Sequence, residues 1–163
     1  MQLSAGPEIS NRLTIQYHLT RYSMLLHHAK IHFDHHTNCF FMHVKIDTKE
    51  RFDVIRVMEP TISANMSEEL REYLTQRRDA GAGNLILDLS SVTTIDASIG
   101  RLLAAEQQQS YEMQQSFVIC CLTPDAEAFL DAQEVLELLN HTPTESEAWD
   151  IVQMEEIERE LLG

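Results

Sequence analysis

Asn84-Leu-Ile-Leu-Asp-Leu-Ser-Ser-Val-Thr-Thr-Ile-Asp-Ala-Ser-Ile-Gly-Arg-Leu-Leu-Ala-Ala105 is the stretch whose reading decides the fold. Leu85 to Leu89 read as a strand covered on both faces, because apolar residues dominate it without alternation. Ser90 and Ser91 make a short polar turn, and Val92 and Ile95 an apolar step. Asp96 then opens a helix: its carboxylate can accept the free N–H groups of the first turn, which makes it a good N-cap. Sites in open α/β sheets gather at such strand-to-helix junctions. Asp96 to Ser98 is therefore where a site is expected.

Working outward, Val44 and Ile46, then Phe52, Val54, Ile55 and Val57, predict two strands joined around Thr48-Lys-Glu-Arg51, a hairpin ended by Pro60. Ser67 with Glu68 and Glu69 starts a helix whose Met66, Leu70, Tyr73 and Leu74 share one face, and Gly81-Ala-Gly83 stops it. After the strand Leu85–Leu89 comes a helix from Asp96 to about Gln114, with Ile99, Leu102, Leu103, Glu106 and Ser110 marking its turns. Phe117–Leu122 is the next strand. Thr123-Pro124-Asp125 combines turn and N-cap before a helix carrying Ala128, Phe129 and Ala132, which Val135, Leu136, Leu138 and Leu139 extend or succeed. His141 and Thr142 form a short last strand. Thr144-Glu-Ser-Glu147 is a capping box for a final helix with Ala148, Ile151, Val152, Met154 and Ile157 inward. The order ββαβαβαβα defines an α/β fold, a mixed sheet with helices packed on it.

The 163 residues suffice for one core of ordinary size. A net charge of −14 speaks against nucleic acid and against anionic membrane surfaces, both of which need clustered Lys and Arg. No apolar run approaches the roughly 18–20 residues that span a bilayer, and the N-terminus lacks the pattern of a secretory signal. A cytoplasmic protein without direct membrane insertion is expected. Cys120 and Cys121 lie in the apolar run Phe117–Leu122 and read as buried reduced thiols, with no disulfide framework or CxxC clip.

Composition breaks just before Met42. Residues 1–41 hold six of the eight histidines and only two acids, Glu8 and Asp34, whereas 42–163 hold 24 acids and nine bases. The first segment shows no convincing period. Three readings stand: a disordered tail, a metal-binding arm, or sequence outside the functional protein because translation starts at Met42. His28, His32 and His35 have spacings that share a helical face and could take Zn²⁺ or Ni²⁺, with Asp34 or Cys39 completing the set. No packed scaffold is evident there, and no metal is expected. Residues 42–163 form the expected domain.

Leu-Ile-Leu-Asp-Leu-Ser-Ser-Val-Thr-Thr-Ile-Asp-Ala-Ser (85–98) resembles the signature of STAS domains, the fold of bacterial anti-sigma factor antagonists. Such domains carry a hydrophobic strand ending in Asp-Leu, a short turn, then an Asp-Ser-Ser/Thr-Gly stretch that begins a helix. The likeness runs in order through 42–163 and includes Thr144-Glu-Ser-Glu-Ala-Trp-Asp-Ile151. It implies a non-enzymatic module that docks on an anti-sigma factor doubling as a serine kinase, through Asp96, Ala97, Ser98 and Ile99. It also implies a phosphoacceptor directly after the aspartate.

That position is Ala97, which cannot be phosphorylated, and Ile99 replaces the following Gly. Ser98 is the remaining acceptor candidate, turned by about 100° from the usual position; the plainer reading is a first-turn serine bonding the helix end. Thr93 and Thr94 are weaker candidates and read as turn residues. The resemblance also admits an accessory subunit of a transporter ATPase complex, which needs no acceptor. Neither a phosphate-binding loop nor a nucleophile with His and acid partners is present. No cofactor and no enzymatic activity are expected.

Overall fold

A computed structural model describes residues 42–80 and 83–162. The histidine candidates His28, His32 and His35, with Asp34 and Cys39, lie outside the described residues.

The first two apolar segments form the expected hairpin: β1 (Val44–Thr48) pairs antiparallel with β2 (Phe52–Val57), Val44 opposite Val57 and Thr48 opposite Asp53. The Lys49 N–H donates to Phe52 O at 2.9 Å and closes the turn. The two-residue β3 (Thr61–Ile62) leads through a 3-10 turn, Ala64–Met66, into α1 (Ser67–Ala80). There follow β4 (Asn84–Asp88), β5 (Thr94–Ile95), α2 (Ala97–Glu112), β6 (Phe117–Cys120) and α3 (Pro124–Ala132). A second 3-10 turn, Leu136–Leu138, precedes β7 (His141–Thr142) and α4 (Glu145–Leu162).

The main sheet has the order β1-β2-β4-β6-β7, and β2, β4, β6 and β7 run parallel. The expected order ββαβαβαβα is present, with β3 and β5 added as a separate parallel pair, Ile62 opposite Ile95. Two-residue bridges are too short to carry a periodic signal, so the sequence did not announce them.

Every residue of β4 and β6 is buried, as expected of strands covered on both faces. Leu85 and Leu87 face one core together with Ile55, Val57, Phe117 and Ile119, and α1, α2 and α3 cover it with Leu70, Leu74, Ile99, Leu103 and Leu130. Ile86 faces the other with Phe52, Val54 and Val118, beneath Ala148 and Val152 of α4.

Caps fall where the sequence placed them. Thr123 Oγ1 accepts from the Ala126 N–H at 3.4 Å, with Pro124 in the first turn of α3, and Thr144 Oγ1 accepts from the Glu147 N–H at 3.2 Å. The face of α2 is also as expected: Ile99, Leu102, Leu103, Glu106 and Ser110 are all buried. Glu106 accepts from Arg78 of α1 at 2.5 Å, so a buried ion pair joins the two helices.

Three details differ. The helix expected from Asp96 to Gln114 runs Ala97–Glu112, because Asp96 caps it and Gln114 adopts a left-handed φ of 56°. Helix α3 buries Ala126 and Leu130, which the sequence reading did not name; of the residues it named, Phe129 is half-buried and Ala128 and Ala132 are exposed. In α4, Ala148 and Val152 are buried and Ile151 partly so, but Met154 and Ile157 are 61% and 51% exposed. Those two lie about 200° and 140° round the helix from Val152. Among the described residues, α4 is the one helix on this face and has no neighbour to receive them. Among the described residues, no helix is long and apolar enough to cross a membrane.

Candidate functional site

The start of α2 stands at the carboxyl ends of the parallel strands, where three loops meet. Pro60 O accepts from the Thr93 and Thr94 N–H groups at 2.8 and 3.1 Å, and the Thr93 hydroxyl donates to it at 3.0 Å. The Thr123 hydroxyl donates to Val92 O at 2.6 Å, which ties the loop after β6 to the loop after β4. Asp96 N–H donates to Ile62 O at 3.0 Å. The turn that presents Asp96 is therefore held by backbone on one side and by Thr123 on the other.

Asp96 has extended backbone, φ −81° and ψ 151°, and its Oδ1 accepts from the Ser98 N–H at 3.1 Å. The Ser98 hydroxyl donates to the same oxygen at 3.2 Å. This bonding holds the Asp96 carboxyl below the usual carboxylate range, chiefly through the Ser98 N–H, with the Ser98 hydroxyl, the Ala64 N–H and the charge of Arg101 adding to it against a smaller opposing effect of burial. An ionised cap at the positive end of a helix is the expected result.

The structure brings Asp96, Ala97 and Ser98 together at the surface, Asp96 exposed and the other two half-buried. It places Ile99 elsewhere: at 0% exposure, that side chain belongs to the core beneath the turn and anchors it. Thr93 and Thr94 are exposed, the first with its hydroxyl spent on Pro60. The sequence reading missed the flank of the site, the segment from Pro60 to Ala64, whose Pro60, Thr61 and Ala64 are exposed beside the turn. Only the pairing of β3 with β5 puts it there, and no local pattern signals that pairing.

Among the described residues one group has metal-ligand chemistry: Asp88, Cys120 and Cys121, whose ligand atoms lie within 4.8 Å of one another. Its carboxylate is already engaged. Asp88 accepts from Arg56 and, at 2.8 Å, from the Ser90 N–H. Burial pushes the Cys120 thiol upward, which keeps it protonated. Cys121 is only half-buried, with φ 59°, because β6 ends one residue before it.

A STAS domain model matches residues 43–148, and the chain belongs to the STAS domain family. None of the curated protein sequences matches it. Its fold is similar to that of an anti-sigma factor antagonist from Mycobacterium paratuberculosis, with 17% identity over 69% of this chain and 95% of that one and a TM-score of 0.59. It is similar also to a STAS domain protein from Planctomyces limnophilus, with 18% identity, coverage of 68% and 97%, and a TM-score of 0.57. Murine Slc26a9, an anion transporter, matches with 16% identity over 66% of this chain and 18% of the transporter, at a TM-score of 0.55. At these identities the likeness establishes the fold.

Proposed function

We propose that this chain is a non-enzymatic regulatory module that acts by binding another protein in the cytoplasm, as an anti-sigma factor antagonist does. Its working part is residues 42–163. Asp96, Ala97 and Ser98 form the centre of the docking surface, and the partner is an anti-sigma factor with serine kinase activity. One observation carries this reading: a capped helix start, tied by hydrogen bonds to Pro60, Ile62 and Thr123, stands at the strand ends with Asp96 exposed to solvent. Membership of the STAS family supports it.

The same surface supports constitutive binding. A phosphate at the position after Asp96 would add up to about two negative charges beside an ionised carboxylate, which repels it, and at a helix N-terminus, which attracts it. Ala97 removes the acceptor. Ser98 keeps a hydroxyl, but that hydroxyl donates to Asp96 and belongs to the cap. The test is to incubate the chain with anti-sigma kinases of its own cell and ATP, then follow complex formation and phosphopeptides. A stable complex without phosphate transfer is expected; Ala97→Ser should gain the phosphate, and Ala97→Glu should weaken the complex about tenfold or more. Phosphate on Ser98 of the wild-type chain would overturn constitutive binding, and absence of any complex would overturn the docking itself.

A second reading is an accessory subunit of a transporter ATPase complex. The likeness to part of an anion transporter favours it, and so does Ala97, since such a subunit needs no acceptor. Co-purification with a transporter ATPase, in place of a kinase, would select it.

A further inference from the structure

The outer face of α4 is not explained by docking at the start of α2. Met154, Ile157 and Leu161 are 61%, 51% and 80% exposed. Their spacing of three and four residues aligns them in one seam along about two turns, the a and d positions of a heptad. Glu158 and Glu160 then occupy the e and g positions that flank such a seam, whereas Asp150 and Glu147 fall on the seam line itself, one and two turns before Met154, and end its apolar part. All four carboxylates are exposed, and none is in an ion pair among the described residues. The other acids of α4 are engaged: Glu145 with Arg56, Glu155 with Arg159 and Asn140, and Glu156 with Arg51. Arg159 also donates to Asn84 Oδ1 and Ser116 Oγ at 3.2 and 3.1 Å, which fixes this end of α4 beside the amino ends of β4 and β6. The seam is thus rigidly mounted at the opposite end of the strands from Asp96.

We infer that this seam docks an amphipathic helix of a second protein, apolar along its contact stripe and flanked by Lys or Arg. Charge decides the occupant. A second copy would bring Glu158 and Glu160 against their own counterparts, and like charges at flanking positions oppose pairing. A helix with basic flanks meets Glu158 and Glu160 while its stripe covers Met154, Ile157 and Leu161, the helix-on-apolar-face mode of recognition.

The test uses the full chain and two labelled synthetic helical peptides with the same leucine seam, one flanked by Lys and one by Glu, followed by fluorescence anisotropy. The Lys peptide should bind and weaken with added salt, and the Glu peptide should not bind. The triple change Met154→Ser, Ile157→Ser and Leu161→Ser should weaken the Lys peptide about tenfold or more. Glu158→Lys with Glu160→Lys should reverse the preference between the two peptides. Because all these side chains are exposed, the variants should unfold at the wild-type midpoint. Equal binding of both peptides, failure of the Lys peptide to bind, or binding untouched by the triple change would overturn the inference. So would self-association of the wild-type chain that Ile157→Ser abolishes, which would put a second copy on the seam.

Discussion

Among the described residues, three helices stand over one face of the sheet and one helix over the other. Among the described residues, the first core gathers twenty-one buried members and the second seven. On the crowded side every turn of α2 meets a neighbour, so even Glu106 and Ser110 are buried, and Glu106 must find Arg78. On the thin side α4 has, among the described residues, only the sheet beneath it, so two residues are fully buried and apolar side chains remain outside. Helix burial follows the surroundings as much as the helix's own pattern, and this asymmetry predicts where substitutions hurt.

The largest effect is expected at the buried ion pair. Glu106→Ala leaves Arg78 as a buried cation whose Nε and one terminal nitrogen already lack partners, and should cost about 3–5 kcal/mol in urea unfolding. The double change Arg78→Met with Glu106→Leu should recover that loss, because an apolar pair of similar volume needs no desolvated charge. If the double variant is as weak as Glu106→Ala, the pair does more than satisfy itself, and the crowded face depends on it for register between α1 and α2.

Next come the apolar members of the two cores. Leu103→Ala, beneath α2, should cost about 2–5 kcal/mol, transfer and cavity together. Val152→Ala, beneath α4, removes two methyl groups and should cost about 1–2 kcal/mol. A lone helix can settle towards the sheet, so little cavity should remain. Equal losses in the two variants would mean that α4 is held as tightly as α2, and the contrast between the faces would fail.

This contrast also governs how much of the molecule was legible. Strand β4 was legible because burial on both faces makes its apolar run unbroken, and the inner face of α2 because a packed neighbour at each turn keeps its period regular. The Asp96, Thr123 and Thr144 caps were legible too, since capping is local chemistry between a side chain and N–H groups two or three residues on. Met154 and Ile157 were misread as inward, because an apolar residue on a helix signals burial only if something lies opposite. The flank of the site, Pro60 to Ala64, was invisible for another reason: it reaches Asp96 through a two-residue pairing with β5. Long-range pairings that short leave no trace in the sequence.

A smaller effect is expected at the site itself. Asp96 stands in solvent, so Asp96→Ala should lower stability by less than either core change. The sign with pH follows from the bonding. The folded carboxyl titrates below its unfolded value of about 3.9, so its stabilising share is complete above that value and is lost as pH falls through the lower folded one. The gap in unfolding midpoint between wild type and Asp96→Ala should therefore hold at neutral pH and close in strong acid. A gap that persists in acid would mean that the side chain acts by shape and not by charge.

The smallest change is expected from removing residues 1–41, if 42–163 is the working module. Met42 is itself a core residue, 2% exposed, and its N–H donates to both carboxylate oxygens of Glu69 at 3.0 Å. Glu69 lies in the first turn of α1, so this contact ties the beginning of β1's segment to a helix of the crowded face. In a chain that starts at Met42 the same nitrogen is an ammonium group. The bond to Glu69 then becomes charge-assisted, and such bonds are shorter and stronger than neutral ones. Cooperative unfolding of 42–163 at the full-length midpoint, or slightly above it, is the expected outcome. If Glu69→Gln lowers the midpoint more in the shortened chain than in the full one, the ammonium–carboxylate contact is confirmed. A large loss of stability on shortening, with Glu69 intact, would show that the module needs more of the chain than 42–163.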